Sequence, residues 1–264
     1  MKTIILLGDG MADVPLPELG GKTPLEYART PNMDSLALVS IIGKVNTIPD
    51  SMPPGSDVAN LSVMGYDPRR YYTGRSPLEA VSMGVELGDD DLALRCNLVS
   101  LSDEPEYVDK TMLDYSAEEI PSEQSALLMA TVQKELGNDD FSFHAGISYR
   151  HLMVWKDGKG KDLDLTPPHD ISGQKISGHL PRGQDGQVLL AIMRASEKLL
   201  NSHPLNQSRR KQGFKAANSL WFWGEGNKPL LPSFLSRYGL HGSVVAAVDL
   251  VKGLGISAGM TPVA

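Results

Sequence analysis

Cysteine is nearly absent. Cys96 is the only one in 264 residues, which excludes an internal disulfide and any thiolate zinc cluster. No apolar run approaches the ~20 residues that cross a bilayer, so a membrane partner is not expected. The start is not that of a signal peptide, because the short apolar run after Lys2 meets Gly8-Asp9 almost at once. Basic runs are also missing. Lys and Arg number 25 against 32 Asp and Glu, for a net charge of -7, and Arg209-Arg210-Lys211 is the densest basic cluster, which argues against nucleic acid as a partner. There is no Walker loop, no His-Glu-x-x-His and no Gly-x-Ser-x-Gly. Gly224-Glu225-Gly226 and Gly253-Leu254-Gly255 do not complete a dinucleotide fingerprint. No internal repeat or low-complexity segment is found. The expectation is a cytoplasmic globular protein.

What is present fits that class. Apolar residues make up 41% and charged residues 22%, enough to bury a core in one large domain or two ordinary ones. Residues 3–7 read as a strand buried on both faces, as in a parallel sheet, ending in a polar loop at 8–13. Thr30-Pro31 opens a helix, with Thr as N-cap. Residues 43–48 suit a second strand, Pro49 to Gly55 a Pro-rich turn, and Ser56 the start of a short helix that Gly65 ends. Beyond residue 88 the texture changes. A strand is expected over 92–101, a helix capped by Ser122 and stopped by Gly137, and a strand pair over 141–155 bending at Gly146. A turn is expected at 157–160, and an amphipathic helix over 185–200 facing inward through Val188, Leu189, Ile192, Ser196 and Leu199. A strand at 219–223, a helix from Pro232 to Gly239 and a buried strand at 243–248 complete the pattern. The α/β texture of the start returns at the end around an α+β segment.

Several side chains could carry chemistry. Asp9 sits just past a buried strand, where open α/β sheets place ligands; equally it is a turn residue or helix cap. Ser56 lies at a helix N-terminus, where free amides and the dipole favour anions, or else serves only as an N-cap. Two oxygen ligands from separate loops are half of a hard-metal site, and a metal-bound serine is an activated nucleophile. Arg75, Arg95, Arg150 and Arg209 suit bidentate binding of carboxylate or phosphate, although most arginines only face solvent. His151 and His169 are weaker candidates, and Trp221 and Trp223 read as core.

LGDGMAD at 7–13, PGSDVANLSVMGYDP at 54–68 and YTGRSPLEA at 72–80 resemble the cofactor-independent phosphoglycerate mutases, in the archaeal-type branch of the alkaline phosphatase superfamily. Further matching blocks are LRCNLV at 94–99, SYRHL at 148–152, TPPHDI at 166–171, NSLWFWGEG at 218–226 and LVKGLGISAGM at 250–260. The resemblance implies an α/β, alkaline-phosphatase-like core with a parallel-type sheet, formed by 1–88 and 230–264 and interrupted by an α+β substrate-binding insert at 89–229. It implies interconversion of 3-phosphoglycerate and 2-phosphoglycerate through a phosphoserine on Ser56, without 2,3-bisphosphoglycerate. Asp9 and Ser56 would share a divalent metal, manganese or magnesium, in a two-metal site, and Arg150 and Arg209 would hold the small phosphorylated carboxylic acid. Two departures stand out. DYSAEEI at 114–120 replaces a usually basic segment and is nearer to a bacterial subgroup proposed to be homoserine kinases, so a related phosphotransferase or a phosphohydrolase is the rival reading. The family's remaining Asp and His metal ligands lie downstream of the Gly259-Met260 block, beyond residue 264. The chain alone is therefore expected to be inactive in the mutase reaction, and a non-catalytic binding module is the third reading.

Overall fold

The computed structural model describes residues 2–52, 54–158, 160 and 162–263. Pro53 of the expected 49–55 turn and Lys159 of the 157–160 turn lie outside the described residues. Helices are α1 (Pro24–Tyr27), α2 (Pro31–Ala37), α3 (Ser56–Val63), α4 (Pro68–Tyr71), α5 (Ser76–Ser82), α6 (Ser122–Leu136), α7 (Gly186–Asn201), α8 (Pro204–Lys211), α9 (Phe234–Tyr238) and α10 (Asp249–Ser257). Strands are β1 (Leu92–Leu101), β2 (Met112–Asp114), β3 (Phe141–His144), β4 (Arg150–Trp155), β5 (Ser219–Asn227), β6 (Ser243–Val244) and β7 (Thr261–Pro262). The fold is mixed α/β. None of the described helices is long and apolar enough to cross a membrane.

The chain divides into two units, Met1–Asn46 and Thr47–Ala264. In the first, Thr23 and Glu26 close a reciprocal cap on α1. α2 begins at Pro31 as the sequence suggests, but the Thr30 hydroxyl donates to Asp34 instead of capping. Residues 3–7 are not a strand: Ile4, Ile5, Leu6 and Leu7 are exposed. Residues 43–48 are likewise not a strand. An apolar run becomes a strand only where neighbouring strands take up its N–H and C=O groups, and neither segment belongs to a ladder of the described strands.

The second unit is organised around β1, whose ten residues are all buried. β4 flanks it on one side and β5 on the other, β3 pairs with β4, β2 pairs with the far end of β1, and every pairing is antiparallel. Alternate residues Leu92, Leu94, Cys96 and Leu98 enter the main core with Leu128, Val132, Leu189, Met193 and Leu200 of α6 and α7. On the other face Ala93 joins Ala80, Leu152 and Val154 beneath α5. α10 packs on α5 through Leu78, Leu250 and Leu254, an approach so close that a Cβ on Gly253 would lie 1.7 Å from the Leu78 carbonyl oxygen.

Four further expectations are corrected. On α7 Leu189 and Ser196 are buried and Ile192 and Leu199 pack against the core as expected, but Val188 faces outward while Leu190, Met193 and Leu200 are buried; the apolar stripe is wide enough that spacing alone does not place its edge. Ser122 does not cap α6, because its hydroxyl accepts the Ser148 amide. α9 starts at Phe234, behind a Ser233 cap, and ends at Gly239 in the left-handed region. The strand expected over 243–248 is reduced to β6, which pairs with β7 in the one parallel pairing among the described strands. Val245 and Val248 beyond it are exposed and lie outside the ladders of the described strands.

Candidate functional site

Antiparallel register brings Arg95, Asn97 and Arg150 onto one sheet face. On β1 the apolar alternation leaves Arg95 and Asn97 pointing away from the main core. Across the ladders Arg95 faces Leu152 and Trp223, and Asn97 faces Arg150. The Arg95 guanidinium lies 4.4 Å from the Trp223 ring centre, and Trp223 Nε1 donates to Asn97 Oδ1 at 3.0 Å. Arg150 is exposed and lies over the Tyr149 ring. Tyr149 meets Tyr115 edge-on, Tyr115 meets His169, and His169 meets Trp223. A rim of aromatic rings therefore surrounds the cationic face.

α5 supplies the remaining groups. Ser76 donates to the Gly224 carbonyl and ties the helix to β5. Glu79, one turn along, accepts from Arg75 Nε at 2.9 Å and from Arg95 Nη1 at 2.9 Å, both on Oε1. Arg95 is 5% exposed. Burial draws its guanidinium down from the usual arginine range, Glu79 opposes that, and the like charges of Arg75 and Arg150 add to it. Two guanidiniums thus converge on one carboxylate and the charge of Arg150 acts on the same face, leaving an excess of positive charge there.

Ser56 is exposed and is the first residue of α3, not its N-cap, which is Gly55 in an extended conformation. Its neighbour Asp57 is buried and accepts from the Tyr72 hydroxyl at 2.7 Å. Burial, then that hydrogen bond and the Asp57 charge, push the Tyr72 phenol up, while Arg75 acts against them. Tyr72 thereby ties the Ser56 end of α3 to the segment that leads into α5, three residues before Arg75. Glu225, the next residue after Gly224 on β5, has its pKa raised by burial.

The other residues singled out from sequence sit elsewhere. Arg209 on α8 is 4% exposed. It donates from Nε to the Lys215 carbonyl, from Nη1 to Gln124 Oε1 and from Nη2 to the Ala117 carbonyl, so its fork is committed within the fold. His151 lies on the main-core side of β4, opposite Cys96. Asp9 is an exposed turn residue of the Met1–Asn46 unit, whereas Ser56 and the arginines belong to Thr47–Ala264. No three His, Cys, Asp or Glu side chains among the described residues gather as a metal-holding group. A hard divalent cation takes six or more oxygens, so the described residues do not make up a full ligand set. Sequence reasoning named the arginines but missed Glu79 and Tyr72; an Arg75–Glu79 spacing of four on a helix was the available signal.

Comparison with known proteins places this arrangement. The family model for 2,3-bisphosphoglycerate-independent phosphoglycerate mutase matches residues 37–206. The probable 2,3-bisphosphoglycerate-independent phosphoglycerate mutase of Geobacter sulfurreducens is 53% identical over 260 residues, covering 98% of this chain and 64% of the relative. The Methanosarcina mazei enzyme of the same name is 49% identical with the same coverage. The chain thus spans 64% of the length of these relatives. A solved protein from Pyrococcus horikoshii superposes with a TM-score of 0.75 at 31% identity, over 97% of this chain and 59% of that one. The cofactor-independent phosphoglycerate mutase of Thermoplasma acidophilum gives a TM-score of 0.56 at 27% identity, over 96% of this chain and 68% of that one. With similarity running through the Ser56 and arginine blocks alike, the chain belongs to the family of 2,3-bisphosphoglycerate-independent phosphoglycerate mutases.

Proposed function

We propose that the chain carries the phosphoserine and substrate-holding parts of a cytoplasmic phosphoglycerate mutase that interconverts 3-phosphoglycerate and 2-phosphoglycerate. The observation that carries this reading is the convergence of Arg75 and Arg95 on the single carboxylate of Glu79, with the charge of Arg150 also acting on Arg95. A phosphorylated carboxylic acid brings two anionic groups, and guanidinium forks neutralise both while fixing their orientation. Ser56, exposed at the first position of α3, has free helix amides beside it to receive negative charge. In this reading its hydroxyl oxygen attacks the phosphoryl group of 3-phosphoglycerate and the released glycerate reorients on the arginine face. The phosphoryl group then returns to the 2-hydroxyl, with no bisphosphoglycerate needed. The chemistry requires positioning and charge neutralisation more than bond-making by protein groups.

Arg150 serves as a substrate ligand in this scheme, joined by Arg75 and Arg95. Arg209, assigned to the substrate from sequence, acts through the fold instead. A divalent metal, manganese or magnesium, would activate Ser56 with Asp9 as a second ligand. Asp9 and Ser56 would supply only part of the oxygen ligands that such a cation takes. We further infer that 89–229, which contains all five strands of the antiparallel sheet, is the substrate-binding insert between 1–88 and 230–264. Homoserine phosphorylation and simple phosphate release are less well supported, because the relatives carry the mutase name.

The test joins the 264-residue chain to the remaining third of the Geobacter sulfurreducens relative. With manganese and without 2,3-bisphosphoglycerate, the fusion should convert 3-phosphoglycerate to 2-phosphoglycerate, and Ser56→Ala should abolish turnover while the fold persists. A Ser56→Ala fusion with full activity would overturn the assignment.

A further inference from the structure

Within the mutase reading, on which this inference rests, we infer that Glu79 is a positioning residue: it aims Arg75 and Arg95 so that the arginine face selects a phosphorylated carboxylic acid over a simple phosphate.

Glu79 is the acidic side chain in hydrogen-bond contact with this face, and it is only 16% exposed. Its partners come from different layers. Arg75 precedes α5, whereas Arg95 is buried in the middle of β1. One oxygen serves both, and what it leaves unused is the informative part. Glu79 takes Nε of Arg75, so both terminal nitrogens of that guanidinium stay available. It takes Nη1 of Arg95, whose stem is already fixed by burial and by the Trp223 ring. Arg95 Nε is buried without an acceptor, so this side chain holds its place through Glu79 and Trp223. Without the carboxylate, Arg75, Arg95 and Arg150 would repel one another at short range in a partly desolvated setting. They would turn apart, each still cationic but no longer directed.

The carboxylate therefore does two opposed things. It removes one unit of positive charge, which weakens attraction for any anion. It also fixes the separation and heading of two forks, which favours a ligand whose two anionic groups match that separation. Charge and geometry can be told apart because inorganic phosphate feels mainly the first, and 3-phosphoglycerate feels both.

The experiment measures binding of 3-phosphoglycerate and of inorganic phosphate to the 264-residue chain by calorimetry, for wild type, Glu79→Gln, Arg75→Met, Arg75→Lys and the Glu79→Gln/Arg75→Met double variant. Wild type should prefer 3-phosphoglycerate. In Glu79→Gln the ratio of the two affinities should fall at least tenfold, with phosphate bound as well as before or better. Arg75→Met should lower the ratio similarly, and the double variant should add no further loss, since Glu79 works through the arginine. Arg75→Lys keeps the charge but loses the Nε donor that Glu79 grips, and should behave like Arg75→Met; this comparison decides the matter even where Glu79 variants fail to fold. An unchanged ratio, a parallel change in both affinities, or additive losses would overturn the role of Glu79 alone. A wild-type chain that binds 3-phosphoglycerate no better than phosphate would overturn the mutase reading, and Glu79's role with it.

Discussion

Arg209 donates from Nη2 to the carbonyl oxygen of Ala117 at 2.8 Å, and Ala117 is the first of three consecutive non-glycine residues with left-handed backbone. The φ angles at Ala117, Glu118 and Glu119 are 49°, 58° and 50°. Each such residue costs about 1–2 kcal/mol relative to the right-handed form. Asp114 accepts from Ser116, and Lys215 bridges Asp114 and Glu118, so the turn is held from several sides. Arg209→Met should cost about 3 kcal/mol in urea unfolding, since it leaves two carbonyls and an amide oxygen without their donors. Arg209→Lys should restore little of it, because an ammonium cannot span a planar fork. Glu119→Gly, at an exposed position of the same turn, should stabilise by about 1 kcal/mol. A destabilised Glu119→Gly would show that the turn stores no strain.

Acid should destabilise the chain partly through His151. Burial pushes its pKa down to about 3, from the usual 6.5 of an imidazole, and its Nδ1 accepts the Gly146 amide at 3.1 Å. Between pH 6.5 and about 3 the unfolded chain binds a proton at this ring that the folded chain does not. Stability from this group is thus complete above pH 6.5 and is lost as pH falls, with a limiting slope of about 1.4 kcal/mol per pH unit. His151→Gln should show a shallower loss of stability between pH 6.5 and 4 in chemical unfolding. Parallel curves for the two proteins would mean that this ring does not govern the slope.

Cys96 is fully buried on the core face of β1, and burial pushes its thiol pKa up. Thiolate is the reactive form. Alkylation by iodoacetamide at pH 8 should therefore proceed only as fast as the protein opens, and should accelerate sharply in denaturant. Rapid labelling of the native chain would place this strand differently.

The contact between α10 and α5 should tolerate no side chain at Gly253. Gly253→Ala should lower stability by about 3 kcal/mol, because the Leu78 carbonyl stands where the methyl would go. Gly43→Ala, which meets nothing within 4 Å, is the control and should be near neutral in thermal melts.

Manganese alone should not confer mutase turnover on the 264-residue chain, since no complete metal-holding group forms among its described residues. The decisive comparison is with the fusion to the remaining third of the Geobacter relative. Equal turnover by the two would show that the metal site has been misplaced.

Much of the second unit was legible in the chain. β1, the β3–β4 bend and β5 follow from apolar runs bounded by turn residues, and α6 and α7 from their periodicity. Pattern misled where it cannot report a partner. Residues 3–7 have the composition of a buried strand, yet composition does not supply the neighbouring strand that would bury them. The arginines show the same limit. Arg95 interrupts an otherwise apolar strand, which signals a paired buried charge, whereas Arg150 and Arg209 look alike until the fold shows one exposed and the other bonded to two carbonyls. Asp9 and Ser56 fall in different units, and nothing in the local sequence around either residue marks that division.

The central place of β1 also sets an order of events in time. Its partner β4 follows within the next several dozen residues, but Asn97 and Trp223 are 126 positions apart. Closing so long a loop is slow. During synthesis the β3–β4–β1 part can form early, while the far edge of β1 waits unpaired for β5 to emerge. The arginine face is therefore among the last features to be completed, and a nascent chain halted before residue 227 would expose β1 as a sticky edge.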